Sequence, residues 1–318
     1  MAHRLLGLHH VTATVDRAQP DLDFAAGALG LRLVKKTVNF DNHHVYHFYY
    51  GDARGTPGTI WTTFPYHGRG VRTGTKGAGQ VTVTAFSVPA GSLPFWQDRL
   101  SAHGHGVTLS TGPFGEPTAA ATDPSGLHIA LVESRDDLRA GWQAAGVSRS
   151  HAVRGLHSVT LLVRSAAPTI DFLTGVLGFS TVAAAGDQSR LVVAAGGPGA
   201  QLDVVEAPDA APAVNGLGTV HHVALAIATA GEQRQLREDL TARGFSVTPV
   251  LDRLYFQSIY FREPGGVLLE VATIAPGFAI DEAPDALGLA LRLPPWQEPS
   301  RAEIEAGLDP IRPPLARP

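Results

Sequence analysis

The sequence predicts an α+β protein built as two tandem domains, each of two βαβββ modules, and three observations carry that prediction. First, Gly-Leu-His-His-Val-Thr at Gly7 returns as Gly-Leu-His-Ser-Val-Thr at Gly155. The segment from Pro20, PDLDFAAGALGL, returns in the same register as PTIDFLTGVLGF from Pro168, so Asp23, Phe24, Gly27, Leu29 and Gly30 recur as Asp171, Phe172, Gly175, Leu177 and Gly178. Second, QDRLSAHGHGVT from Gln97 matches REDLTARGFSVT from Arg237, and PSGLHIALVE from Pro124 matches PGGVLLEVAT from Pro264. Third, the pattern between these marks is strand, amphipathic helix, then several strands, with modules opening near Gly7, Gly79, Gly155 and Gly218. A repeat that spans both a strand and a helix marks duplication of a supersecondary unit.

Taken in order, residues 7 to 15 alternate. Extension puts His10, Thr12 and Thr14 on one face and His9, Val11, Ala13 and Val15 on the other. Pro20 suits the first turn of the helix that follows, where its missing N–H is not needed. Leu22, Ala26 and Leu29 then share one helical face, and Gly30 ends the helix. Segments 31–38, 44–50 and 59–63 are rich in β-branched and aromatic residues, with turn signals at Gly51-Asp52 and Pro57-Gly58. The expected domains are 1–140 and 150–275, joined by a linker from Asp136 to Val153 that holds a short helix. A proline-rich tail, 276–318, is expected to wrap the surface with one helical piece from Arg301 to Gly307.

Composition narrows the chemistry. The chain has 318 residues, 44% of them hydrophobic and 17% charged, with a net charge of -4, so nothing favours disorder or a polyanionic partner. It has no cysteine. Disulfides, thiolate nucleophiles and sulfur-ligated metals are therefore excluded, and any metal must be held by histidine and carboxylate. No apolar run reads as a signal peptide or a membrane span, and a cytoplasmic location is the default expectation.

The fourth opening strand, GTVHHVALAI from Gly218, repeats the division of the first: His222, Ala224 and Ala226 face one way, and His221, Val223, Leu225 and Ile227 the other. Glu270 lies in the apolar strand 267–272, where a lone carboxylate is costly unless paired or bound to a metal. Aligning the repeats places Thr63, Ala130 and Val204 at its equivalents, and Val83 and Ser158 at those of His10 and His222. On that alignment only modules one and four carry ligands, His10, His222 and Glu270, which suggests one working site. Two histidines and a carboxylate on rigid strands hold a divalent metal with positions left open, a set suited to Fe(II) and dioxygen, with Mn(II) or Zn(II) as alternatives. A structural zinc would want four protein ligands.

A single His-His pair is most simply a core histidine beside an exposed one. Two such pairs in equivalent strands, with an acid in the matching final strand, outweigh that reading. His128 and His157 lack those companions and read as structural. His43, His44 and His47 lie in an expected exposed stretch, where a role at the substrate mouth is the lesser alternative. Tyr260 and Arg253 precede Glu270 on the neighbouring strand and its approach. A phenol there could orient or protonate an oxygen, and a guanidinium could hold an anion; packing of Tyr260 with Phe256 and Phe261 and a surface Arg253 are equally open.

These residues resemble the vicinal oxygen chelate superfamily, which includes glyoxalase I, extradiol dioxygenases and bleomycin- and fosfomycin-resistance proteins. More narrowly, the whole chain is similar to ring-cleaving dioxygenases of the hydroquinone 1,2-dioxygenase type. The likeness runs through LHHVT, RLVKKTVNFD from Arg32, YHFYYGD from Tyr46, GTPGTIWTTFP from Gly55, GTVHHVA and PGGVLLE. The resemblance implies cup-shaped mixed sheets, with a metal in the cup formed by modules one and four and held by His10, His222 and Glu270. It also implies catalytic roles for Tyr260, His221 and Arg253 and a place near the substrate for His9 and Thr12, although alternation turns His9 and His221 away from the metal. The expected partners are O2 and a hydroquinone- or catechol-like aromatic, in a chain that could form a homo-oligomer. The alternatives are a glyoxalase I-like lyase or isomerase and a non-catalytic module that sequesters an aromatic ligand.

Overall fold

Local patterns become βαβββ modules because each helix covers one face of the strands around it, and the crossover lets a module's last strand lie parallel to its first. The computed structural model describes residues 5–144 and 146–313. Module one comprises β1 (Leu5–Val15), α1 (Ala18–Leu22), β2 (Arg32–Asn39), β3 (Asn42–Gly51) and β4 (Ile60–Pro65). Module two comprises β5 (Gln80–Pro89), α2 (Leu93–Ala102), β6 (Val107–Thr111), β7 (Pro117–Thr122) and β8 (His128–Ser134). Module three has β9 (Gly155–Val163), α3 (Ala166–Gly175), β10 (Ser180–Ala185), β11 (Gln188–Val192) and β12 (Gln201–Glu206). Module four has β13 (Thr219–Ile227), α4 (Ala230–Ala242), β14 (Leu251–Asp252), β15 (Gln257–Arg262) and β16 (Leu268–Thr273).

Two curled, mixed eight-stranded sheets result, in the orders β14-β15-β16-β13-β1-β4-β3-β2 and β10-β11-β12-β9-β5-β8-β7-β6. Opening strands meet antiparallel, β1 on β13 and β5 on β9, while β4 and β16 lie parallel to β1 and β13. The division at 1–140 and 150–275 follows the duplication along the chain. Each sheet, however, takes one module from either side of it, so the first sheet joins modules one and four.

The side chains opposite His10 on β1, Val11, Ala13 and Val15, are fully buried in an apolar core that draws on all four modules. Trp61 of the first sheet stacks on Phe86 of the second, with ring centroids 5.2 Å apart. Gly7 and Gly155 make the close approach between sheets possible. The Leu8 N–H donates to Gly199 O at 2.7 Å and the Leu156 N–H to Gly58 O at 2.8 Å. A Cβ on Gly7 would stand 2.6 Å from Gly199 O, and both glycines have left-handed φ, 132° and 144°.

In module one the helix begins two residues before Pro20 and passes into a π-helical turn at Asp23–Ala28, closed by the Leu29 N–H on Phe24 O at 2.9 Å. The expected linker helix is absent among the described residues. There the chain is fixed instead by Arg139, which donates to Gly58 O at 2.9 Å and Leu156 O at 2.7 Å while pairing with buried Asp137, so tertiary bonds replace helical ones. The tail runs along the outer edge of β2, bonding through the Arg292 N–H to Lys36 O, and carries α5 (Arg301–Gly307) against Val38.

Candidate metal centre

β1 and β13 lie side by side with β16 next to β13, and this brings His10, His222 and Glu270 together although 260 positions separate the first from the last. All three are buried, at 2%, 6% and 0% exposure. His222 Nε2 stands 2.8 Å from Glu270 Oε2 and His10 Nε2 3.2 Å from it, while the two Nε2 atoms are 3.3 Å apart. Oε2 accepts no hydrogen bond of good geometry, so three lone-pair atoms converge on one point. Ligands at right angles around an ion with bonds of about 2.1 Å stand about 3.0 Å apart. The triangle fits one face of a divalent metal's coordination shell.

The adjacent histidines set the tautomers. His9 Nδ1 lies 2.8 Å from His10 Nδ1, and His221 Nδ1 lies 2.7 Å from His222 Nδ1. If both Nε2 lone pairs are to serve a metal, His10 and His222 must donate through Nδ1–H, and His9 and His221 accept. Burial, reinforced by His10, lowers the His9 pKa to about 3, in keeping with a neutral acceptor. Burial alone would raise the Glu270 pKa, but the facing imidazoles of His10 and His222 hold it well below the usual carboxylate range. The Ser258 hydroxyl donates to Glu270 Oε1 at 2.5 Å.

The site opens into a cavity of about 480 Å3. His10, Thr12, His221, His222, Arg253 and Tyr260 line it, so every residue expected near the substrate reaches it except His9, which sits behind His10 against Phe256. Arg253 is no surface charge: its Nε donates to Tyr260 Oη at 3.3 Å and its guanidinium lies over the Tyr260 ring. Burial keeps the Tyr260 phenol protonated well above its ordinary range. Of the histidine cluster, His47 enters the cavity wall, with Nε2 2.9 Å from Thr62 Oγ1, and burial and His10 hold it neutral; His43 and His44 are not in that wall.

Strand register corrects the repeat alignment. Glu270 pairs with Ala224, two residues beyond His222. The same step from His10 leads to Thr12, which pairs with Thr62 rather than Thr63, and from Ser158 to Thr160, which pairs with Asp203 rather than Val204. Thr63 turns to the opposite face, where its hydroxyl donates to Asp21. Counting from turns of unequal length slips the register by one residue, and one residue reverses the face. Module three therefore does carry an acid, and Arg190 occupies it: Nε and Nη2 donate to the two Asp203 oxygens at 2.7 and 2.9 Å. The second cup is held by an internal cation.

Ser258 and Thr62 were missed by sequence reasoning. Alternation from Tyr260 would have placed Ser258 on the same face of β15 as the phenol.

Fold and site together define a scaffold of paired βαβββ modules with a candidate metal centre in one cup, and the comparisons match the fold. Residues 155–271 match the family model described as Glyoxalase/Bleomycin resistance protein/Dioxygenase superfamily. MhqO of Bacillus subtilis (strain 168), which carries the name of a ring-cleaving dioxygenase, is 42% identical over 98% of both chains. The chlorohydroquinone/hydroquinone 1,2-dioxygenase of Sphingobium indicum is 34% identical over 96% of both. A solved structure described as a dioxygenase from Bacillus subtilis superposes with a TM-score of 0.92, at 41% identity, over 99% of this chain and 100% of that one. Glyoxalase I from Zea mays shares the fold at a TM-score of 0.61 and 15% identity, over 85% of this chain and 92% of its own. The chain belongs to the ring-cleaving dioxygenases of this superfamily.

Proposed function

We propose that this chain opens the ring of a hydroquinone-like aromatic with dioxygen, using Fe(II) held by His10 Nε2, His222 Nε2 and Glu270 Oε2. The observation that carries the reading is the convergence of those three atoms beside an aromatic-walled cavity that His10 and His222 line. The name of the Sphingobium relative supports the substrate class. A catechol-like ring is the neighbouring alternative. When bound, Fe(II) would supply a Lewis-acid site with open positions for a substrate oxygen and for dioxygen.

The surrounding residues have distinct tasks. Arg253 steadies negative charge on the substrate and, through its bond to Oη, orients Tyr260, whose protonated phenol can donate a hydrogen bond or a proton to a substrate oxygen as charge develops on it. His221 accepts from His222 at Nδ1 and so presents Nε2–H as a donor to a substrate oxygen. Thr12 offers a hydroxyl beside His10, and its Oγ1 accepts from Thr62 at 3.1 Å. His9 positions His10 from behind. The apolar wall, including Tyr49 and Phe256, excludes water from the ring.

A lyase or isomerase of glyoxalase I type is less favoured, because Thr62 at the first-module position matched to Glu270 supplies no fourth ligand. The test is oxygen uptake by protein loaded anaerobically with Fe(II), on addition of substituted hydroquinones and catechols. About one O2 per ring opened is expected, with none in His222→Ala. Metal bound without uptake would favour the lyase or isomerase, and failure to bind any metal would leave a ligand-sequestering protein.

A further inference from the structure

Leaving the histidines aside, the titratable acid and base among the described residues lining the cavity, tyrosines excepted, are Asp41 and Arg253. They come from different modules. Arg253 lies between β14 and β15 in a turn closed by its own N–H on Phe256 O at 2.9 Å and by the Leu254 N–H on Asp252 Oδ1 at 2.8 Å. Leu254 there adopts φ 66°, a conformation that a non-glycine residue keeps only where its surroundings impose it. The guanidinium is thereby aimed at Tyr260 on one side, and on the other its Nη1 stands 3.3 Å from Asp41 Oδ2.

Asp41 sits at the tip of the β2–β3 hairpin, and this tip is braced. The Asp41 N–H donates to Asn39 Oδ1 at 2.9 Å, and Asn39 Nδ2 donates to Tyr66 Oη at 2.7 Å. Phe40 packs edge-on against Trp296 of the tail, with ring centroids 5.7 Å apart. The Asp41 carboxylate is 76% exposed, whereas the Arg253 side chain is 21% exposed. An acid is thus held over the mouth against a half-sheltered cation.

We infer that Asp41 is a specificity-determining residue that selects uncharged dihydroxybenzenes and rejects rings bearing a carboxylate. Without it, Arg253 would be an open receptor for any anionic ring substituent, because a guanidinium binds carboxylate bidentately. With it, such a substituent meets a like charge at the mouth and must displace an existing partner, while alkyl or halogen substituents meet neither cost. Selectivity of this kind rests on a repulsive element built against the wrong ligand. The inference rests on the ring-cleaving reading of the cavity and names the substrate class within it.

The experiment compares wild type, Asp41→Asn and Asp41→Glu on methylhydroquinone and 2,5-dihydroxybenzoate. It measures kcat and KM for each in air, and binding of each by calorimetry without oxygen. In Asp41→Asn the preference for the uncharged ring, as a ratio of kcat/KM values, should fall roughly two- to five-fold, the range expected for an exposed charge. The change should lie in KM for the carboxylated ring and shrink at high salt. Asp41→Glu, which keeps the charge, should retain the wild-type preference. An unchanged ratio in Asp41→Asn, or the same shift in Asp41→Glu, overturns the inference. If the wild type opens neither ring, the reading of the site as a dioxygenase fails, and the calorimetric ratio still decides the role of Asp41.

Discussion

At Glu270 the cost of burying a carboxylate is offset by what surrounds it: a hydroxyl on one oxygen and two imidazoles facing the other. Glu270→Gln keeps the shape and removes the anion, so Fe(II) retention in equilibrium dialysis should weaken at least ten-fold, in line with the typical loss for perturbed metal sites. A variant that holds metal as tightly as wild type would take Glu270 out of the ligand set. Asp21 is the opposite case, an acid buried without a cation. Its Oδ2 accepts from Tyr50 Oη at 2.8 Å and Thr63 Oγ1 at 2.6 Å, and burial pushes its pKa from 3.8 up to about 7. Between those values the folded chain keeps a proton that the unfolded chain has lost. Its contribution to stability is therefore full below about pH 4 and is lost as pH rises toward 7, at up to about 1.4 kcal/mol per unit. Urea melts at pH 5 and pH 7 should show wild type losing up to about 2 kcal/mol more than Asp21→Asn. Parallel losses would mean that Asp21 ionises normally in the fold.

Among the elements, β2 depends most on something remote in sequence. Lys35 is fully buried on it, with Nζ 2.6 Å from Asp281 Oδ1 and also bonded to Glu282 Oε2, over the ring of Tyr255. The tail is thereby locked onto the sheet edge beside the hairpin that carries Asp41. Lys35→Met would leave Glu282 buried without its main cation, a change that costs about 3–5 kcal/mol in comparable pairs. Thermal melting should fall accordingly, and limited proteolysis should cut first within 276–313; an unchanged cleavage pattern would show that the tail is held by its apolar contacts alone. Much of this level was legible beforehand. The four βαβββ patterns, the helical piece at Arg301–Gly307 and the apolar face of β1 follow from side-chain periodicity and breakers, whereas His221, turned away by alternation, joins His222 in the cavity wall. The register of β4 and β12 was not, because the pairing partner of a strand residue is set by hydrogen bonds to another strand and not by its own neighbours. Thr62 and Asp203 were displaced by one position for that reason.

Across the whole molecule, duplication has produced two cups whose interiors are filled differently. In the first, three side chains face an ion-sized gap. In the second, Arg190 bridges Asp203 and Glu116, and His157 Nε2 stands 3.2 Å from the same Glu116 oxygen. Burial opposes the charge on Glu116, yet His157 and Arg190 bring its pKa down to about 2. One metal per chain is therefore expected by elemental analysis, and Arg190→Met should destabilise the fold by about 3–5 kcal/mol by leaving Asp203 buried without its counterion. Two metals per wild-type chain would refute the division of labour. The sequence by itself determined the α+β modules, their duplication and the absence of sulfur ligands, and it singled out His10, His222 and Glu270 as the proposed ligands that the fold brings together, because residue type, alternation and repeat spacing are local or self-referring signals. The joining of modules one and four was expected from the resemblance and not from any local pattern; only the tertiary structure decided the register of β1 on β13, that an arginine fills the second cup and that Asp41 meets Arg253, 212 positions away. Those outcomes depend on which sheet edges join and on what the curvature brings across each cup, and no stretch of chain encodes that in its own pattern.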